Sequence, residues 1–302
     1  MDQIIHLNTV KDYNDYLGIT TDHPLVSVVD ASKIGELRHA RKNMGFYAVY
    51  LKDVKCADFI TYGRRKYDFQ ENTLIFVAPG QIVGNDDTGE TFQPKGWWLM
   101  FQPELLHGTS LGNHMQEYTF FSYAVNEALH ISKQERQTVI DCMKKIEQEI
   151  KATKDKHSRL IIASTIELLL NYCLRFYDRQ FHTRQEENKG ILSSFESLLN
   201  HYFLSDKLHL SGIPTVSYCA KMLHLSANYF GDLIKKETGR SAQTYILWKA
   251  MSVAKELLAD PRKNVSDVAY ALGYQHPQYF SRAFKRIVGC SPNEYRLQQR
   301  LQ

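Results

Sequence analysis

The sequence predicts an α+β chain: a strand-rich N-terminal body with two helices, then an all-α C-terminal domain. Three observations lead there. Up to about residue 124, short β-branched and aromatic runs alternate with turn formers; over 132–181 apolar residues switch to helical spacing; and beyond residue 215 the chain repeats itself.

In the N-terminal body the runs at 25–29, 46–51, 58–62, 74–77 and 97–101 are rich in Val, Ile, Phe, Tyr and Trp. Such residues suit a pleated surface. Pro79, Gly80 and the 84–89 stretch with Asn85, Asp86 and Asp87 supply turns between them. Several short strands punctuated this way predict a small barrel or sandwich over about 1–124. Alternation sets Trp97, Leu99 and Phe101 on one strand face and Trp98 and Met100 on the other. A packed core and a ligand-stacking wall both fit such an aromatic strand.

Within 132–151, Val139, Met143, Ile146 and Ile150 follow helical spacing, and Ser132 with Glu135 forms a capping-box pair. After the polar break 153–158, residues 160–176 read as a second helix, apolar on more than one side. A helix of that kind is buried in its own body or sandwiched against a second subunit. On the second reading, charges at Met143 and Ile150 shift a dimer toward monomer. The polar stretch 182–190 (HTRQEENKG) ends in glycine and is the expected linker between a domain at 1–181 and another at 191–302.

The repeat aligns 215–246 with 264–296, with Pro277 as the one extra residue. Val216, Ser217, Ala220 and Leu223 fall on Val265, Ser266, Ala269 and Leu272. Tyr229, Phe230, Lys235, Gly239, Ser241 and Tyr245 fall on Tyr279, Phe280, Lys285, Gly289, Ser291 and Tyr295. Each copy reads as a helix-turn-helix, at about 215–239 and 264–289. In the second, Asn264 caps with Asp267 at the third position, Gly273 suits the turn, and Pro277 starts the next helix. Phe280, Ala283 and Phe284 form its buried stripe, opposite Gln278, Arg282 and Lys285. That row has major-groove chemistry: Gln pairs with adenine, Arg with guanine, and Lys meets phosphate. The first copy buries Phe230, Leu233 and Ile234 and turns out Asn228, Asp232 and Lys235. Asp232 is repelled by phosphates yet can accept from a cytosine amino group. A weaker or more selective reader is expected there.

Charge supports this division. The segment from residue 215 onward carries a net +7 and the remainder −3. A basic module on a slightly acidic body is the asymmetry of a nucleic-acid reader joined to another domain. The N-terminus lacks the basic start and apolar run of a signal peptide, and no apolar run approaches the length of a membrane span. Five scattered cysteines without a CxxC pair fit reduced thiols in a cytosol. No Walker loop or GxGxxG occurs.

The segments SANYFGDLIKKETGRSAQTYI and NVSDVAYALGYQHPQYFSRAFKRIVGCSPNEYR resemble the two helix-turn-helix units of AraC/XylS-type bacterial transcription regulators, and Gly289, Ser291, Pro292, Glu294, Tyr295 and Arg296 carry the family-specific ending. The resemblance implies two recognition helices, at 227–237 and 277–287, entering successive major grooves of double-stranded promoter DNA. Gly231 and Asp232 depart from the polar or basic residues the family often places there. The resemblance further implies a cupin-like barrel, helices that pair two subunits, a small-molecule effector and, for an activator, RNA polymerase as partner. An effector-free dimeric regulator is the alternative. A cupin-like enzyme with a DNA-binding tail is the other, but metal-binding cupins use closely spaced His. This chain has no HxH pair, Gln81 stands where such relatives often carry His, and His107 and His114 read as surface or turn residues. Neither catalysis nor a cofactor is expected.

Overall fold

The computed structural model describes residues 4–53, 72–84, 86, 89–124, 127–153 and 155–300. The strand expected at 58–62 and Cys56 lie outside the described residues. The chain divides into two compact units, Met1–Thr183 and Arg184–Gln302.

The first unit is mixed α+β. It contains β1 (Ile5–Leu7), α1 (Val10–Tyr16), β2 (Val26–Asp30), β3 (Leu37–Arg38), β4 (Lys42–Met44), β5 (Tyr47–Lys52), β6 (Thr73–Val77) and β7 (Ile82–Val83). There follow β8 (Thr91–Phe92), β9 (Gly96–Phe101), α2 (Ser110–His114), β10 (Leu129–His130), α3 (Lys133–Lys151) and α4 (Ser158–Thr183). Five strands form the main sheet in the order β10-β6-β5-β9-β2, while β1-β4-β7 and β3-β8 form two smaller sheets. Among the described residues these three sheets do not join into a closed barrel.

The alternation expected along β9 is realised. Tyr50 sits opposite Trp98, which also sits opposite Val29. These three, with Ala48, Ile75, Val77 and Met100, join Val10 and Tyr13 of α1 and Leu17 just after it in one buried cluster. On the other face Phe101 lies 6.5 Å from Phe121, and Phe76 lies 4.3 Å from Phe120. Trp97 is half-buried at the sheet margin, with the Lys144 ammonium 5.7 Å from its ring. Gln81 braces a turn: its side chain accepts from the Ala78 N–H at 3.0 Å and donates to the Phe121 carbonyl at 3.0 Å.

Ser132 and Glu135 close the expected capping box on α3. Helices α3 and α4 pack on each other. Met143 is fully buried there and Ile150 nearly so, at 0% and 6% exposure, which corrects their placement at a subunit face. The exposed apolar side of this pair belongs to α4, with Leu160, Ile161 and Leu168. By length and composition α4 could cross a membrane, a property the residue pattern had not suggested. Many of its apolar residues line the unit's interior: Ile162, Ile166, Leu169, Leu170 and Cys173 are all buried. Buried Gln180 accepts from the His130 N–H at 2.7 Å and donates to the Ala128 carbonyl, tying α4 to β10.

The stretch expected as a linker is helical. Helix α4 runs to Thr183 and α5 spans Gln185–Leu204, so only Arg184 interrupts them. Gln, Glu and Lys are strong helix formers, which outweighs one mid-helix glycine, Gly190, at a cost of about 1 kcal/mol.

The second unit is all helical: α5, α6 (Lys207–Ser211), α7 (Val216–Met222), α8 (Ala227–Thr238), α9 (Ala242–Ala259), α10 (Val265–Ala271), α11 (Pro277–Val288) and α12 (Pro292–Arg300). Its core is built on Phe195, Phe230, Leu233, Ile234, Phe280 and Phe284, each fully buried.

Candidate nucleic-acid interface

The duplication survives in three dimensions as matching caps and turns. Thr215 caps α7 and Asn264 caps α10, the latter in a full capping box with Asp267. Ser241 and Ser291, aligned in the repeat, each accept from the backbone N–H three residues on, at 3.2 Å. Gly239 and Gly289 end α8 and α11 in left-handed conformations (φ 71° and 94°), their N–H groups donating to Lys235 and Lys285 carbonyls. Glycine adopts these angles without a Cβ penalty.

The two turns also match, with one informative difference. Leu225 N–H donates to the Ala220 carbonyl at 2.9 Å, and Tyr274 N–H to the Ala269 carbonyl at 3.0 Å. The left-handed residue is His224 (φ 58°) in the first turn and Gly273 (φ 76°) in the second. Ala220 and Ala269 are buried, and α7 and α10 each pack against α9.

Residues following each turn helix hold the frame together. Phe195 on α5 meets Phe230 edge-on at 4.9 Å, and Phe284 meets Tyr295 at 5.6 Å. The Tyr245 hydroxyl donates to Glu196, and burial together with that carboxylate pushes its pKa up to about 12. Arg296 donates to the Leu258 and Lys263 carbonyls at 3.2 and 2.7 Å, fastening α12 to the end of α9. Backbone and side-chain hydrogen bonds with Ser291 hold the Glu294 carboxyl below its usual range.

On α11 the expected residues Gln278, Arg282 and Lys285 are all exposed, while Phe280 and Phe284 are buried opposite them. Ala283, expected in the buried stripe, is only half-buried. Tyr279 and Arg286 are exposed too, Tyr279 at 58%. At about 100° per residue, these five side chains fill one continuous arc of roughly 120° with Arg282 near its middle. Arg286 was legible as the residue four after Arg282; Tyr279 was hidden by its alignment with Tyr229, which is 5% exposed. Helix α11 has no side-chain cap, because His276 stands at the N-cap position and Pro277 follows it.

On α8, Asn228 and Lys235 are exposed, joined by Lys236, whereas Asp232 is half-buried and already engaged within the protein. The two lysines are balanced by Asp232 and Glu237, while α11 carries Arg282, Lys285 and Arg286 with no carboxylate. Just past α8, the Arg240 guanidinium lies 5.4 Å from the Trp248 ring centre on α9.

Two capped helix-turn-helix units joined by one central helix define the C-terminal unit as a bipartite helix-turn-helix domain. The family described as "Helix-turn-helix domain" matches residues 219–298. The chain is 33% identical over 112 residues to the HTH-type transcriptional regulator YtdP of Bacillus subtilis, covering 37% of this chain and 14% of that protein. It is 28% identical over 134 residues to the probable transcriptional regulator LumQ of Photobacterium leiognathi, covering 44% and 49%. It is 24% identical over 254 residues to the HTH-type transcriptional activator RhaR of Mannheimia succiniciproducens, covering 76% and 86%. Thus the chain spans less than half of the first two relatives and most of the third. The C-terminal domain of AraT, a response regulator from Geobacillus stearothermophilus, aligns at 30% identity and TM-score 0.31, over 36% of this chain and 84% of that one. The C-terminal unit therefore carries an AraC-type helix-turn-helix domain.

Proposed function

We propose that the protein is a sequence-specific transcription regulator that reads double-stranded promoter DNA with α8 and α11. The observation that carries this reading is a pair of exposed polar helix faces set in one duplicated frame of caps and turns. In it Arg282 and Gln278 read base edges, and Lys285 and Lys235 meet phosphates. Asn228 and Asp232 make lighter contacts in the other groove, Asp232 as an acceptor for cytosine. Cations without carboxylates favour α11 as the stronger electrostatic anchor. Activation, with RNA polymerase as partner, follows the activator name of the Mannheimia relative.

The N-terminal unit, cupin-like in its strand-then-helix order, would pair two subunits and sense a small molecule in the cytoplasm. Pairing is supported by α4. Ile161, Thr165, Leu168, Tyr172 and Arg175 step alternately by four and three residues along one side, the spacing of a two-helix seam. Sensing is supported by the buried Trp98 indole N–H, which has no hydrogen-bond partner among the described residues. It lies beside Tyr50 and Tyr13, whose hydroxyls meet at 3.2 Å. A bound molecule offering an acceptor satisfies a group that is otherwise costly to bury.

The test is selection of the full-length protein against random duplexes. Enrichment of a two-part motif supports the reading, and recovery of an unchanged pool contradicts it. A thermal-shift screen of metabolites checks the sensor, and silence across the screen favours the effector-free regulator.

A further inference from the structure

The two aligned tyrosines of the repeat have opposite fates. Tyr229 is 5% exposed, whereas Tyr279 is 58% exposed on the first full turn of α11. Its ring meets the His276 ring edge-on at 5.6 Å, so a neighbour supports it even while it faces outward. Phe280 and Phe284 supply the buried side of α11, and Tyr279 is left largely to solvent. Tyr279 lies on the same arc as Arg282 and Arg286, at the edge opposite Gln278 and Lys285.

We propose that Tyr279 is a specificity-determining residue that packs its ring on the C5-methyl group of a thymine in the groove entered by α11. This rests on the reading of α11 as a DNA-contacting helix. Thymine's methyl is the apolar feature among the major-groove base edges, and a tyrosine ring presents an apolar body to it. The support from His276 limits the ring's freedom, so less order is lost on contact. The first copy has no such group, since Tyr229 is buried, and thymine reading of this kind belongs to the second half of the site alone.

The experiment uses full-length protein and a duplex selected by the wild type from a random pool, with each thymine replaced in turn by deoxyuridine. Loss of one methyl contact weakens wild-type binding about fourfold at one thymine in the α11 half. Tyr279→Ala loses a similar factor on the parent duplex and no longer distinguishes thymine from deoxyuridine there. Tyr279→Phe, which keeps the ring, behaves as wild type. Wild-type indifference to every replacement overturns the inference, as does Tyr279→Ala retaining full sensitivity. A uniform loss in Tyr279→Phe also overturns it, because that assigns the hydroxyl to a phosphate. If selection enriches no sequence, the DNA-reading proposal itself fails, and this inference with it.

Discussion

Gly273 lies so close to Gly212 that a β-carbon on Gly273 would come within 2.4 Å of the Gly212 α-carbon and 2.6 Å of the Leu208 carbonyl oxygen. The second helix-turn-helix is thereby packed onto the loop that precedes the first. Gly273 is needed twice over, for this approach and for its left-handed backbone.

Gly273→Ala is therefore expected to destabilise the C-terminal unit by at least about 2 kcal/mol, combining overpacking with backbone strain. His224 has the same backbone sign in open surroundings, so His224→Gly should be neutral or stabilise by up to about 1 kcal/mol. Urea denaturation of both variants checks the pair. Equal effects at the two positions would mean that the turns are not packed differently.

Arg282→Ala is expected to weaken binding to a selected duplex by about 1–3 kcal/mol and to relax preference at one base pair. Lys285→Ala and Lys235→Ala should weaken all duplexes alike and each lower the salt slope by about one. Fluorescence anisotropy across a salt series separates the two behaviours. Loss of sequence preference in the lysine variants would reassign them to bases.

Ile161→Glu with Leu168→Glu should convert a dimer to monomer in sedimentation while leaving the thermal transition in place. Met143→Glu should instead unfold the N-terminal unit, since that residue is fully buried between α3 and its neighbours. A wild type that is monomeric at high micromolar concentration and on DNA would remove the seam.

Lys42 offers a pH test. Burial, aided by repulsion from Lys52, lowers its pKa to about 8 from 10.5, and its ammonium lies 5.0 Å from the Tyr16 ring centre. Between pH 8 and 10.5 the unfolded chain holds a proton that the folded chain has released, so stability rises with pH across that window. Below pH 8 both states are protonated and the cost of the buried charge is fully present. Lys42→Met should stabilise the N-terminal unit at pH 7 and lose its advantage toward pH 10.5 in thermal scans. An advantage independent of pH would contradict this.

Much of the C-terminal unit was legible because its punctuation is local. Ser, Thr and Asn caps, Gly C-caps and the Phe280–Phe284 stripe all act within a turn or two of helix. The outward face was only half legible: spacing found Gln278, Arg282 and Lys285. The exposure of Tyr279 depends on which helices cover each copy. The N-terminal unit was read more coarsely. Alternation along β9 held, but burial of Met143 and Ile150 depends on how α4 packs across α3. The 182–190 stretch looked like a linker by polarity, although its Gln, Glu and Lys residues favour helix just as strongly.

Whether one domain holds two unequal readers is decided by a complete base-pair substitution scan of a selected duplex, measured by competition binding with full-length protein. Two blocks centred about 10 base pairs apart are expected. Substitutions in the α11 block should cost about 1–3 kcal/mol each and those in the α8 block markedly less. A single block, or two blocks of equal cost, would contradict two unequal readers.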